Sequence, residues 1–190
     1  MRTSESSIYK SSNLEVNHIH DLLKDLGNRN GLVRETAREK LVEIGSPVIE
    51  FLSELISRPD DTVRWESIKA LSEIANPVSI PTLIQALYDI DEEVRWIAAE
   101  GLVAIGRDAI EPILNELLEN PRSFRLKRGV HHVLTGLGPG DKNLDFTELI
   151  KALDEHSTKI HLPAVTYRVL RTVRKLKSEK KPARVRPRLH

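Results

Sequence analysis

Apolar and small residues recur along the chain at the spacing of one face of an α-helix. In five segments they stand at offsets 0, 4, 8 and 11 from an anchor residue, which at 3.6 residues per turn form a single stripe along a helix. The anchors are Val33, Val63, Val94, Leu126 and Leu162, at intervals of 30, 31, 32 and 36 residues. This periodicity predicts a repeated helical unit of about 30 residues.

A shorter, more apolar segment separates each stripe from the next. The breaks between segments carry residues that end or start helices, such as Gly45, Gly106 and the pair Ser46-Pro47. Two helices per repeat are typical of α-solenoids, in which a repeat buries its apolar face only by stacking on its neighbours. We therefore predict an all-α fold, a right-handed α-solenoid (superhelix) of about five helix pairs.

The second and third repeats share a nearly identical phrase, 31 residues apart. Residues 60–74 read DDTVRWESIKALSEI, and residues 91–105 read DEEVRWIAAEGLVAI. In both, an aspartate lies three residues before the valine anchor, where its carboxylate can accept hydrogen bonds from the free amides of the first turn. Asp60 and Asp91 are therefore predicted to cap their helices.

This pattern, Asp-x-x-Val-Arg-x-x-Ala-Ala-x-x-Leu-x-x-Ile-Gly, resembles the short HEAT-like repeats first named from phycocyanobilin lyases. The third repeat matches it in full over residues 91–106, whereas the second has Ser67 and Ile68 for the alanines and Ala75 for the glycine. The resemblance spans residues 18–176 and implies a HEAT-like repeat protein. It says little about activity, because one fold supports many functions.

The arginine after the valine anchor is Arg34, Arg64 and Arg95 in the first three repeats. The resemblance implies a structural role, in which the arginine pairs with an acidic residue of the adjoining repeat. Its recurrence at one register suits packing better than recognition of a single ligand.

The offsets outside the stripe define a candidate binding surface. Offsets 2, 3, 6 and 10 of each second helix are predicted to point toward solvent, on the usually concave side of the solenoid. The two tryptophans of the chain both stand at offset 2; exposed aromatic residues mark interaction sites, although packing between helices is the alternative. The predicted partner-binding residues are Trp65, Glu66, Lys69, Trp96, Ile97, Glu100, Arg128 and His132.

Composition adds a charge asymmetry. Of 190 residues, 30% are charged and 39% hydrophobic, which fits a folded and highly charged helical protein. The formal net charge is +1, but the stretch from Arg168 onward holds ten Lys or Arg against Glu179 alone, so the body before it is acidic. We predict a flexible N-terminal arm over 1–16, a HEAT-like repeat solenoid over 17–177 and a disordered basic tail over 178–190.

Several chemistries lack their sequence signals. There is no cysteine, which excludes disulfides, thiolate metal sites and cysteine nucleophiles. His131-His132 and His18-Ile19-His20 lack the i, i+4 spacing of a helical metal site, and no glycine-rich phosphate motif is present. We therefore predict no catalytic residues, no metal and no cofactor. With neither a signal peptide nor an 18-residue apolar run, we expect a cytoplasmic protein without membrane insertion.

These observations favour a non-enzymatic scaffold or adaptor that binds a protein or peptide on the concave face formed by the second helices. The resemblance gives a first alternative, a phycobilin lyase-like protein or phycobilisome-associated chaperone, in which the acceptor thiol would belong to the client. Nucleic-acid binding through the basic C-terminal region is the second alternative, and the acidic body opposes it. A monomer is favoured.

Overall fold

The computed structural model describes residues 17–138, 144–154 and 161–180. The regular secondary structure in these ranges is helical, without a strand. No helix in them is long and apolar enough to cross a lipid bilayer. The helices are α1 (17–25), α2 (Gly31–Ile44), α3 (Ile49–Leu55), α4 (Asp61–Ile74), α5 (Ile80–Ala86), α6 (Glu92–Ile105), α7 (Ile110–Glu119), α8 (Phe124–Leu137), α9 (Thr147–Leu153) and α10 (Leu162–Lys180).

The helices form pairs, and the second helix of each pair (α2, α4, α6, α8 and α10) carries one predicted stripe. Three first helices, α3, α5 and α7, are entered through short 3₁₀ turns at Ser46–Val48, Pro77–Ser79 and Gly106–Ala109. Two of these 3₁₀ turns have a proline at their start. Proline fits there because N–H groups at the start of a helix have no acceptor within the helix, so its lack of an N–H loses no hydrogen bond.

Side chains cap the second helices of the first four pairs. Asp60 Oδ1 accepts hydrogen bonds from the amides two and three residues on, at 2.9 and 3.3 Å. Asp91 Oδ1 accepts the equivalent pair, at 2.7 and 3.3 Å. Asn30 and Ser123 cap α2 and α8 through one bond each. The predicted aspartate caps are confirmed, and they determine where α4 and α6 begin.

The first four second helices (α2, α4, α6 and α8) end on residues with positive φ. Gly45 and Gly106 follow α2 and α6 with φ of 73° and 82°, a conformation open to glycine because it has no Cβ. Ala75 takes this place after α4 with φ of 49°, the one non-glycine residue with positive φ in the described ranges. Gly27, which follows α1, does not have positive φ; a Cβ there would lie 3.1 Å from Val63 Cγ2.

The predicted apolar stripes form the core. In all five second helices the residues at offsets 4 and 8 are buried, whereas those at offsets 0 and 11 range from buried to half-buried. The all-α solenoid predicted from this pattern is confirmed. The buried residues at the two inner offsets are Ala37, Leu41, Ser67, Leu71, Ala98, Leu102, Val130, Leu134, Thr166 and Leu170.

The chain divides into two compact units, residues 1–106 and 107–190. In the first unit α4 packs on α2 and α6 as well as on α3 and α5. Ile68, Ala70 and Ser72 of α4 are consequently buried in addition to its predicted stripe. The middle helix of this unit is enclosed on more than one side.

In the second unit α8 packs on α7 and α9, and α10 packs on the same two helices. Glu111 of α7 accepts hydrogen bonds from Arg174 Nε and Lys177 Nζ of α10, both at 2.9 Å. The hydrogen bonds from Lys177 and Arg174 hold the pKa of Glu111 below its ordinary value. These contacts hold the C-terminal half of α10 on α7.

The helix α10 runs to Lys180, three residues into the segment predicted to be a disordered tail. Lys175 and Glu179, 3.9 Å apart at i, i+4 spacing, favour this extension. The predicted boundaries at residues 16 and 177 stay predictions, because the arm over 1–16 and the segment 181–190 lie outside the described residues.

Candidate partner-binding surface

The arginine after each valine anchor ties its helix to the preceding loop. Nη1 of Arg34, Arg64 and Arg95 donates to the backbone carbonyls six and five residues earlier. The two distances are 2.8 and 3.5 Å for Arg34, 3.0 and 2.9 Å for Arg64, and 2.9 Å in both cases for Arg95. Loop carbonyls that have no helical partner are satisfied in this way.

Two of these arginines also reach a carboxylate of the next repeat. Arg34 Nε lies 3.1 Å from Glu66 Oε1, and Arg64 contacts Asp89 through Nε at 2.8 Å and Nη2 at 3.1 Å. The hydrogen bond that Arg64 donates to Asp89 raises the pKa of Arg64. Burial disfavours the charged form of Asp89, but the hydrogen bonds from Arg64 and the backbone N–H of Asp91, together with the charges of Arg64 and Arg95, lower the pKa of Asp89. The predicted structural role is confirmed for these two arginines.

Glu66 is a correction to the predicted surface, because it does not face solvent. Its relative exposure is 4%, and its oxygens accept hydrogen bonds from Arg34 Nε at 3.1 Å and Arg38 Nη1 at 2.7 Å. Burial opposes the charge of Arg38, yet the hydrogen bond and charge of Glu66 raise the pKa of Arg38. The helical wheel gives the wrong answer because α4 also packs on α2.

An open groove of about 800 Å³ runs over the N-terminal parts of α2, α4 and α6. Half-buried Trp65 lines it, and the guanidinium carbon of Arg38 lies 5.9 Å from the indole ring centroid, a cation–π distance. Leu32, 72% exposed, adds apolar surface. This tryptophan groove is lined by Asn30, Gly31, Leu32, Arg34, Glu35, Arg38, Asp61, Thr62, Trp65, Glu66, Asp91 and Glu93.

The tryptophan groove is acidic. Its lining holds five carboxylates and two guanidinium groups, and both guanidinium groups are paired with Glu66. Asp91 caps α6. In the part of the chain that the structure describes, no cation lies within ion-pair distance of the other three carboxylates, Glu35, Asp61 and Glu93. These three carboxylates, which have no counter-ion among the described residues, therefore line the same groove as the indole of Trp65.

Lys69 lies one helical turn beyond Trp65 and forms an ion pair with a glutamate of the same helix. Its Nζ is 3.1 Å from Glu73 Oε1, and Glu73 Oε2 is 3.4 Å from Arg38 Nε. The contact between Arg38 and Glu73 lacks hydrogen-bond geometry, so that Nε is buried without a hydrogen-bond partner. Lys69 is half-buried and is already engaged in the charge network that joins α2 to α4.

The three predicted residues of α6 differ in exposure. Trp96 is 58% exposed, Glu100 is exposed and Ile97 is half-buried. The tryptophan at the shared offset is thus much more open in the third repeat than in the second, where Trp65 is half-buried. None of the three lines the tryptophan groove.

Arg128 and His132 lie on α8, in the second compact unit. Arg128 is exposed, with its guanidinium carbon 5.9 Å from the ring centroid of Phe124, and His132 is half-buried. Trp65 and Glu66 line the same groove, whereas Arg128 and His132 are not among its lining residues. A surface that contains all eight predicted residues stays a prediction.

Ten of the twelve residues that line the groove were not among the predicted partner-binding residues, and Leu32, Arg38, Asp61 and Glu93 are four of the ten. The signals were present: Leu32 is an apolar residue immediately outside the core stripe, and Asp61 and Glu93 are acidic residues in the first turns of α4 and α6. Arg38 gives no such signal, because its offset is occupied by Ile68 in the next repeat. Only the packing of α2 on α4 brings it to the groove.

Comparison with known proteins agrees with this architecture. Residues 19–102 match the family of HEAT repeats. No curated protein matches the sequence significantly. Among solved structures, the complex of CpcE and CpcF of phycocyanin lyase from Nostoc sp. PCC7120 is similar at 25% sequence identity, with a TM-score of 0.56, over 83% of this chain and 98% of that one. The chain is a HEAT-like repeat protein whose repeats are similar to those of phycocyanin lyase.

Proposed function

We propose that the chain is a non-catalytic scaffold that binds a segment of a partner protein across α2, α4 and α6. The observation that supports this function is the placement of the two tryptophans. Trp96 is 58% exposed, and Trp65 lines an open groove. Apolar surface left in water costs about 25 cal/mol per Å², and a partner that covers these rings would recover that free energy. Tryptophan is among the commonest hot-spot residues of protein interfaces.

The comparison with solved structures also supports a protein as the partner. The similar structure is a complex of two proteins, CpcE and CpcF. Repeat proteins of this architecture present extended surfaces, since each repeat adds one helix to the same face. The scaffold proposed here would use three such helices.

The test is the replacement of both tryptophans by alanine in the full chain. A hot-spot tryptophan contributes at least about 2 kcal/mol to binding, so each change is expected to weaken affinity by about thirtyfold. Partners would be captured from an extract of the source cells, identified by mass spectrometry and produced in pure form. Calorimetry would then compare their affinity for the wild-type chain and for the double variant, and circular dichroism would confirm that helix content is kept.

A matched control removes exposed apolar side chains elsewhere in the same unit. Val78 and Ile90, 71% and 79% exposed, do not line the groove. Their double replacement by alanine is expected to leave affinity unchanged. A partner that binds the double tryptophan variant as tightly as the wild type would rule out the proposed surface.

A second candidate function, a phycobilin lyase-like or phycobilisome-associated role, is favoured by the similarity to the CpcE–CpcF complex. The test is the absorbance spectrum of an added phycobilin, recorded with the chain alone and with a phycocyanin subunit. A shifted absorption band that requires the chain would support this function. An unchanged spectrum in both mixtures would count against it.

A further inference from the structure

We propose that the tryptophan groove binds a lysine- and arginine-rich segment of the partner that also carries apolar side chains. This inference rests on the proposed scaffold function and gives the partner its chemistry. It starts from the charge of the groove, in which Glu35, Asp61 and Glu93 are exposed and have no cation at ion-pair distance among the described residues.

Helix capping explains only part of this charge. Asp61 and Glu93 lie in the first turns of α4 and α6, where the helix dipole stabilises a negatively charged side chain. Glu35 lies beyond the first turn of α2, which has no acidic residue. Three carboxylates from three different helices converge on one groove, and each gains most from a cation that the partner brings.

An acidic segment is disfavoured in the same place. The two arginines of the lining both donate to Glu66, whose side chain is only 5% exposed. Arg38 also pairs with Glu73, so both guanidinium groups are engaged in ion pairs within the protein, and the five carboxylates of the lining outnumber them. A partner carboxylate would be repelled by Glu35, Asp61 and Glu93. This repulsion between like charges disfavours an acidic partner segment.

The apolar surface of the groove suits the stems of long basic side chains. Lysine and arginine bury their methylene groups along apolar surface while the charged head stays near water or a carboxylate. Leu32 and Trp65 offer that surface, and the indole already accepts the guanidinium of Arg38 at 5.9 Å. A volume of about 800 Å³ lies within the range of ligand pockets, about 300–1,000 Å³.

The experiment measures the binding of short fluorescein-labelled peptides to the full chain by fluorescence anisotropy. In the first peptide lysine and arginine alternate with leucine; in the second glutamate replaces each basic residue; in the third serine replaces each leucine. The first peptide is expected to bind most tightly. Its affinity is expected to fall as ionic strength rises from about 0.05 to about 0.5 M, because exposed charges are screened.

The decisive variant is Glu35→Gln, Asp61→Asn and Glu93→Gln together. Its affinity for the basic peptide is expected to be about tenfold lower, since each exposed pair contributes little alone. The matched control, Asp21→Asn, Glu50→Gln and Glu119→Gln, removes the same charge from exposed positions outside the groove and is expected to bind as the wild type does. In a Trp96→Phe background, a change in Trp65 fluorescence on binding would locate the peptide.

Equal loss in the two triple variants would overturn the inference, because it would show attraction by net charge alone. Equal binding of the acidic peptide, or no binding of the basic one, would overturn it as well. These outcomes leave the scaffold function intact if a purified partner still depends on the two tryptophans. Loss of that dependence would instead defeat the proposed function itself.

Discussion

In the first unit, single polar residues connect a helix both to the loop before it and to the next repeat. Arg64 binds the loop before its own helix and the carboxylate of Asp89 in the next repeat. Their side chains are only 10% and 11% exposed. When one partner of such a buried pair is removed, the other keeps its desolvation cost without its counter-charge. The repeat junction therefore depends on Asp89 more than surface ion-pair energies would indicate.

Replacement of Asp89 by asparagine is expected to lower the free energy of unfolding by about 3 kcal/mol. Because the pKa of Asp89 is lowered in the folded state, the contribution of its charge is present above the unfolded-state pKa of about 3.9 and is lost as pH falls below it. Urea unfolding between neutral and acid pH, followed by circular dichroism, measures both effects.

The control for this prediction is Asp21→Asn, at an exposed position of α1, which is expected to change stability by less than about 0.5 kcal/mol. The wild type should lose stability below about pH 4 more steeply than the Asp89 variant. An acid profile that is the same in both proteins would contradict the assignment.

Ala75 is strained by the backbone it occupies. Its φ of 49° costs an L-residue about 1–2 kcal/mol, and the equivalent positions after α2 and α6 are glycines. Ala75→Gly is therefore expected to stabilise the protein by about 0.5–1 kcal/mol, after allowance for the greater freedom of glycine in the unfolded chain. Urea unfolding provides the measurement.

The same substitution at Ala104, an exposed position within α6, is the control. There glycine replaces a good helix former and is expected to cost up to about 1 kcal/mol. If both variants were destabilised alike, the strain at Ala75 would be disproved.

At the scale of the helices, the contact of α4 with α6 requires a close approach of backbones. A Cβ on Gly101 would lie 3.1 Å from Ser72 Cα and from Leu83 Cδ1. The backbone of Ser72 cannot rotate away as a side-chain end can. Glycine in the middle of α6 is therefore retained at a cost in helix propensity of about 1 kcal/mol.

Gly101→Ala is expected to destabilise the protein by about 1–2 kcal/mol, because overpacking outweighs the gain in helix propensity. Thermal and urea unfolding would measure the loss. Gly31→Ala is the control, since a Cβ there meets its nearest atom, Arg34 Nη2, at 3.6 Å. An increase in stability for Gly101→Ala would show that the two helices can separate freely.

The limits of sequence reasoning are clear at this scale too. Periodicity identified the residues of the core stripe, such as Leu41, Leu71 and Leu102, all fully buried. It did not identify Glu66, Ile68 and Ser72, which are buried because α4 also packs on α2 and α6. A helical wheel records one apolar stripe, and contacts between successive second helices lie beside that stripe.

For the whole molecule, the sequence predicted the repeats and the charge asymmetry, but not the division into two compact units at Gly106. The repeat spacing continues from Val94 to Leu126 with little change, so the periodicity carries no signal of that division. The groove likewise could not be predicted, because it assembles Leu32, Trp65 and Glu93 from three repeats.

The paired arginines on Glu66 have a consequence for how this array can change in evolution or design. At the register of Arg38 and Glu66, the next junction has Ile68 and Ile97. At this register one junction is thus ionic and the next apolar, and the ion pair of the second junction, Arg64 with Asp89, lies at another register. Exchanging the order of the second and third repeats would place Ile97 where two guanidinium groups need a carboxylate. The buried charges therefore make these repeats specific to their positions, and exchanging two of them is expected to lower the free energy of unfolding.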